Sequence, residues 1–250
     1  MSKSAWNIFG WIVHGEFLVL VYCVFLFLRG PDVAPTATTA DDAGTALLID
    51  SMLALAFAVP HSLLLLPAVR DRLTRHIPGP MYGVVFCCVT CTTLLITIAF
   101  WRPVEPVVWQ ASGLVRDAIR GGYYFSWFGL FYSLWVNGLG YQTGWLPWRN
   151  WMAGANPPRR GFDPRSVYRW IRHPTYLSFL GLIWFAPVVT VDRAVLIALW
   201  TAYVFVGSHL KDRRMEHYLG DSYRRYASEV PGYPGMIVGP LGRRPAGEAV

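Results

Sequence analysis

The sequence predicts an all-α fold, a polytopic integral membrane bundle of five to six transmembrane helices with a cytosolic amphipathic helix near the C-terminus. Three observations predict it. Hydrophobic residues make up 54% of the 250 and charged residues only 15%, where a soluble domain carries about 25% charged. The mean hydropathy is positive, +0.34, with 12 Trp, 13 Tyr and 14 Phe. That composition excludes a disordered chain and argues against a soluble enzyme. Finally, the apolar residues come in runs long enough to cross a bilayer, which takes about 20 residues.

The runs extend from Ala5 to Leu28, Ala46 to Leu66, Met81 to Trp101, Gly122 to Tyr141, Thr175 to Val191 and Ala194 to Leu210. The first four have the length a span needs. The last two are short and meet at Val191, Asp192 and Arg193, so they read as a tight helical hairpin that Pro187 helps to end. Counting that pair differently gives five spans. One domain is expected over residues 1–250, with 31–44 and 232–250 irregular. The first apolar run exceeds the 7 to 15 residues of a signal peptide and reads as a span.

Arginine sets the expected orientation. Twenty of the 22 basic residues are Arg, and the net charge is +7. Arg70, Arg72 and Arg75 fall between the second and third runs. Arg149, Arg159, Arg160, Arg165, Arg169 and Arg172 precede the fifth, and Lys211, Arg213, Arg214, Arg224, Arg225, Arg243 and Arg244 follow the sixth. The alternate connections are near neutral or acidic, with Asp32, Asp41 and Asp42 in the first. This alternation places both termini and the Arg-rich connections in the cytosol. The charge then reports topology, and no nucleic-acid partner is expected.

Ionisable residues inside spans are functional candidates. His14 and Glu16 are two apart and face different ways, so they read as polar groups hydrogen-bonded within the bundle. His61 is a stronger candidate. It follows Pro60, which frees a backbone carbonyl one turn back, and it lies nine residues, about 13 Å of helix, before Arg70. His173 stands before Pro174, a residue suited to a first helical turn, with Arg172 just outside. Helix N-terminal amides beside an Arg suit an anionic group, although the same residues fit an interfacial anchor. After the sixth run, Met215, Leu219, Tyr223 and Tyr226 share one helical face, interrupted by Gly220. His61, His173 and Asp212 all come out near the cytosolic side. Cys23, Cys87, Cys88 and Cys91 lie inside the apolar runs, and Cys88-x-x-Cys91 has no second pair, so no metal site is expected. No phosphate-binding glycine motif follows a strand.

Arg172-His173-Pro174-x-Tyr176, followed by Leu219-Gly220-x-x-Tyr223-x-x-Tyr226 and Val230-Pro231, resembles the C-terminal half of integral membrane methyltransferases of the isoprenylcysteine carboxyl methyltransferase type. His61-Ser62, Ile77-Pro78, Tyr82, Trp101-Arg102-Pro103, Trp109, Trp184-x-x-Pro187-x-x-Thr190 and Thr201-Ala202-Tyr203 look like its NnrU-like branch, which includes the methanethiol S-methyltransferases. The likeness covers roughly residues 45–235. It implies S-adenosylmethionine bound from the cytosol and methyl transfer to a small thiol, methanethiol giving dimethyl sulfide, in a bacterial inner membrane. Carried over by position, Arg172, His173, Tyr176, Asp212, Arg213, Tyr223 and Tyr226 would hold the cofactor. A thiol must lose its proton to react, and His61 is the first choice for the base, with His173 second; Arg172 would favour the thiolate or bind the cofactor carboxylate. The chain departs from the family at one place, where the usual Glu-Glu pair is represented by Lys211-Asp212, followed by Arg213-Arg214. That stretch looks more like the haem-dependent zeta-carotene isomerase, so the alternative is a haem-binding membrane protein with His61 and His173 as axial ligands.

Overall fold

The computed structural model describes residues 2–31, 42–156 and 161–244. The expected loop at 31–44 falls mostly outside them, as do Asp32, Asp41, Arg159 and Arg160. In chain order the helices and strands are α1 (Lys3–Arg29), α2 (Ala43–Leu64), α3 (Pro67–Leu73), α4 (Tyr82–Phe100), β1 (Val107–Gln110), α5 (Gly113–Asn137), α6 (Leu139–Gln142), α7 (Trp145–Met152), α8 (Pro174–Trp184), β2 (Val188–Thr190), α9 (Val191–Leu219) and α10 (Asp221–Glu229), with 3-10 turns at Gly79–Met81 and Ser166–Arg169. They fall into two compact units. One comprises Met1–Ser112, Gly138–Arg159 and Ala186–Leu196; the other Gly113–Asn137, Arg160–Phe185 and Ile197–Val250.

In the first unit, α1 packs on α4, α2 on α4, and α7 against both α1 and α4. The contact seam is written in the sequence as a seven-residue repeat. Trp6, Val13 and Leu20 on α1 meet Val84, Cys87 and Cys91 on α4, with Met81 and Trp148 completing the core. Such spacing keeps one face of a helix toward its partner. The close approach of α4 to the start of α7 requires two glycines. Gly144 has φ +76, and a Cβ on Gly83 would lie 2.6 Å from the Gly144 Cα. α1 starts on Ser2, whose hydroxyl accepts the Ala5 N–H at 3.2 Å, and ends at Gly30. Its last carbonyls receive the Arg193 guanidinium, which donates to the oxygens of Phe27 and Leu28.

Polar groups on these helices find partners, as expected of His14 and Glu16. His14 Nδ1 donates to the Gly10 carbonyl at 2.7 Å and its ring stacks on Trp148; Glu16 accepts the Thr92 hydroxyl at 2.7 Å. Outward faces carry large apolar side chains, among them Ile8, Leu18, Leu55 and Phe100, each at least 60% exposed. A water-facing surface of that kind is unfavourable on this scale, and lipid is its natural solvent.

Among the described residues, four helical segments are long and apolar enough to cross a membrane: Lys3–Arg29, Ala43–Leu64, Gly79–Phe100 and Val191–Leu219. α5 has 25 residues but opens with Arg116, Asp117 and Arg120. The fifth expected run differs most from its reading. α8 has eleven residues, about 16 Å of helix, half of a bilayer core. The chain then turns through 185–190 rather than at Val191–Arg193, and α9 is already helical from Val191. Val188–Thr190 instead pairs with Val107–Gln110 as a short antiparallel ladder within the first unit. Pro103, Pro106 and Pro187 deny a helix its donors there, and the β-branched residues between them suit a strand.

Candidate active site

The second unit brings the Arg172-His173 element, α9, α10 and the C-terminal segment together. α5 packs on α8, and a chain of hydroxyls fixes the approach to the site. Tyr168 Oη donates to the Ser133 carbonyl at 3.2 Å and pairs with Thr175 at 3.1 Å, while Ser133 and Thr175 pair at 3.0 Å. His173 is the N-cap of α8 and Pro174 its first residue, as the sequence predicts.

Arg172 is the hub. Its Nη1 donates to the carbonyls of Ala227, Val230 and Gly242 at 3.0, 2.5 and 2.8 Å; Nη2 donates to Asp212 at 3.0 Å and to the Pro240 carbonyl at 3.5 Å. The Arg172 and His173 backbone amides donate to the carbonyls of Pro231 and Gly232. The segment 231–244, expected to be irregular, is thus a non-helical strap that returns on itself through Tyr233 N–H to Leu241 and Arg243 N–H to Ile237. The strap forms because α10 stops at Val230-Pro231 and the carbonyls that follow find one guanidinium.

Asp212 is the counter-charge, and it is fully buried. One oxygen accepts from Arg172, from His173 Nε2 at 3.2 Å, and faces Arg244 Nη2 at 3.2 Å. The other accepts the Tyr223 hydroxyl. Burial, and then Asp212 itself, raises the Tyr223 phenol well above its ordinary value, so it stays a donor. Tyr226 donates to the Tyr168 carbonyl at 2.6 Å, and Phe162 covers the Tyr223 and Tyr226 rings. The helix break that allows this is Gly220, φ +54, a conformation open to glycine. Because α9 ends there, Met215 and Leu219 belong to one helix and Tyr223 and Tyr226 to the next, which corrects the single helical face read from the sequence.

His173 combines full burial with an orienting partner. Its Nε2 is held by Asp212, and its Nδ1 is buried with no hydrogen-bond partner. Tyr176 meets the ring edge-on and Tyr233 at a tilt. Burial pulls the imidazole down to about 4, against the opposing pull of Asp212. It is therefore neutral near pH 7, with the Nδ1 lone pair free to accept a proton. A stability signature follows. Above about pH 6.5 the ring is neutral in folded and unfolded chains alike. Between 6.5 and 4 only the unfolded chain takes the proton, so acidification through that window favours unfolding by up to about 1.4 kcal/mol per pH unit. Denaturation midpoints of the wild type should fall over that window, and those of His173→Gln should fall less.

The remaining expected residues are placed as follows. Arg213 is exposed and has no hydrogen bond or ion pair among the described residues. Tyr176 Oη donates to the Gly207 carbonyl at 3.3 Å. His61 lies in α2 of the first unit, its ring stacked on Phe57 and tilted against Phe86. Two further residues join the site that the sequence marked only as basic tail residues, Lys211 also as part of the Lys211-Asp212 departure. Arg244, eight-hundredths exposed, bridges Asp212 and Glu216, and Lys211 holds its ammonium over the Tyr168 and Tyr176 rings at 5.8 and 5.6 Å.

Comparison with known proteins decides the relationship. No protein-family profile matches the chain. Methanethiol S-methyltransferase 1 of Bradyrhizobium diazoefficiens is 29% identical over 233 residues, 89% of this chain and 79% of that protein. The methanethiol S-methyltransferase of Mycobacterium tuberculosis is 27% identical over 194 residues, 75% of this chain and 77% of its own. The chain is a relative of the methanethiol S-methyltransferases. Nurim of Xenopus laevis is also similar, at 26% over 165 residues, 62% of this chain and 58% of that protein. No solved structure gives a significant match. These relatives and the four apolar helices among the described residues support an integral membrane protein.

Proposed function

We propose that this chain is an S-adenosylmethionine-dependent methyltransferase that methylates methanethiol to dimethyl sulfide. The observation that carries the reading is the likeness to methanethiol S-methyltransferases along 75–89% of the chain. The positive-inside pattern supports an orientation with both termini and the second unit's polar cluster on the cytosolic side, and a bacterial inner membrane suits such a protein.

The cofactor carries a sulfonium, an adenosine and an amino-acid end, and the second unit has groups that fit them. Tyr168 and Tyr176 offer ring faces of the kind a sulfonium is drawn to, beside the Lys211 ammonium that lies over them. When bound, S-adenosylmethionine supplies an electrophilic methyl group. The protein's part is to position the acceptor and take its proton. His173 Nδ1 suits the proton, because Asp212 holds Nε2–H and fixes the tautomer that leaves Nδ1 as acceptor. This orienting carboxylate supports His173 over His61 as the base, the reverse of the order that the sequence suggested. Arg172, Asp212 and Tyr223 build the frame that holds His173, with Tyr226 fastening α10 to Tyr168. No observation favours haem.

Membranes containing the protein, given methyl-labelled cofactor and a panel of methanethiol, a larger thiol, a lipid and a carboxylate, test the reading. Label should appear in volatile dimethyl sulfide. Label only in lipid or ester would overturn the acceptor, and no transfer to any of them would overturn the activity.

A further inference from the structure

Resting on the cofactor reading above, we propose that Lys211 and Arg214 form an anion subsite in the second unit, and that it takes the carboxylate of the cofactor's amino-acid end. The sequence points to Arg172 for that duty, but the structure leaves Arg172 little with which to do it. Both of its terminal nitrogens are engaged by four backbone carbonyls and Asp212. Arg244 is likewise committed, to Asp212 and Glu216.

Lys211 and Arg214 differ from these two. Lys211 is partly buried, and its one hydrogen bond among the described residues is a long one, 3.5 Å to the Arg172 carbonyl. Among the described residues no carboxylate makes an ion pair with it, and its ammonium lies over the Tyr168 and Tyr176 faces. Arg214 is three residues on, so it shares that side of α9. It too is partly buried and makes no hydrogen bond or ion pair among the described residues. Two like charges one turn apart repel, so an incoming anion would make the pair more favourable. An ammonium and a guanidinium on one side of a helix suit a carboxylate, which a guanidinium can grip through two parallel hydrogen bonds. The exposed Arg213, Arg225 and Arg243 lack the partial burial that would make such a contact strong.

Binding measured by calorimetry on the purified full chain in nanodiscs tests this without turnover. The probes are S-adenosylhomocysteine and its decarboxylated analogue, the aminopropyl thioether, which differ only in the carboxylate. Lys211→Met and Arg214→Met should each weaken S-adenosylhomocysteine by on the order of tenfold or more and leave the decarboxylated analogue unchanged, which also reports that the variants are folded. Lys211→Arg should retain most of the affinity. Equal weakening of both probes, or no weakening of the first, overturns the subsite. A wild-type protein that binds neither probe overturns the cofactor reading itself.

Discussion

Asp212→Asn is expected to destabilise the folded protein by about 3–5 kcal/mol, the usual cost of stranding buried charge, and to remove methyl transfer. Arg172, Arg244 and His173 all converge on this one carboxylate, and Tyr223 donates to it. Neutralising it leaves the buried Arg172 guanidinium without its carboxylate and Arg244 with Glu216 alone. The effect should reach the C-terminal strap, because Arg172 holds that strap through the carbonyls of Val230, Pro240 and Gly242. Chemical unfolding in detergent reads the stability, and limited proteolysis with C-terminal sequencing reads the strap. An unchanged midpoint with an intact strap would mean that Asp212 is not the keystone of this frame. The same result with activity lost would move it from framework to chemistry.

His173→Gln is expected to lower turnover by about 10²–10⁴, the range that positioned acid–base groups contribute, with little change in S-adenosylhomocysteine affinity. Glutamine keeps an N–H for Asp212 and removes the titratable nitrogen, so it separates proton transfer from the hydrogen bond. His61→Gln is the comparator, and its loss should be smaller. Rate against pH adds a second readout. A neutral imidazole held near 4 stays a proton acceptor through mildly acidic pH, so the acid limb of the wild-type profile should lie well below the ordinary histidine value and disappear in the variant. If His61→Gln stops turnover and His173→Gln does not, the base is His61.

Much of the fold was legible because a bilayer imposes length and polarity on its spans. The runs at Ala5 to Leu28, Ala46 to Leu66 and Met81 to Trp101 became α1, α2 and α4 within a few residues. Their seam could be read from Trp6, Val13 and Leu20. The run from Thr175 to Val191 misled because hydropathy does not distinguish a helix from a buried turn and strand. Pro187 ends α8 within eleven residues, and pairing with Val107–Gln110 then gives Val188–Thr190 a ladder that no local pattern announces.

At the site, residue identity and spacing marked Arg172, His173, Pro174 and Tyr176, and Gly220 marked the end of α9. Chain neighbours alone placed Lys211 and Asp212 side by side, without saying that one would be sealed among guanidiniums and the other held over two tyrosine rings. By itself, the sequence determined that this protein is a membrane-embedded helical bundle whose Arg residues cluster in alternate connections, with an Arg-His-Pro element that resembles membrane methyltransferases. Only the tertiary structure decided what Arg172 does. A guanidinium has five donors and no sequence label for its acceptors, and the carbonyls that claim it come from 55 to 70 positions further along the chain. Folding brought them within 3.5 Å and so turned a candidate ligand into the framework of its own site.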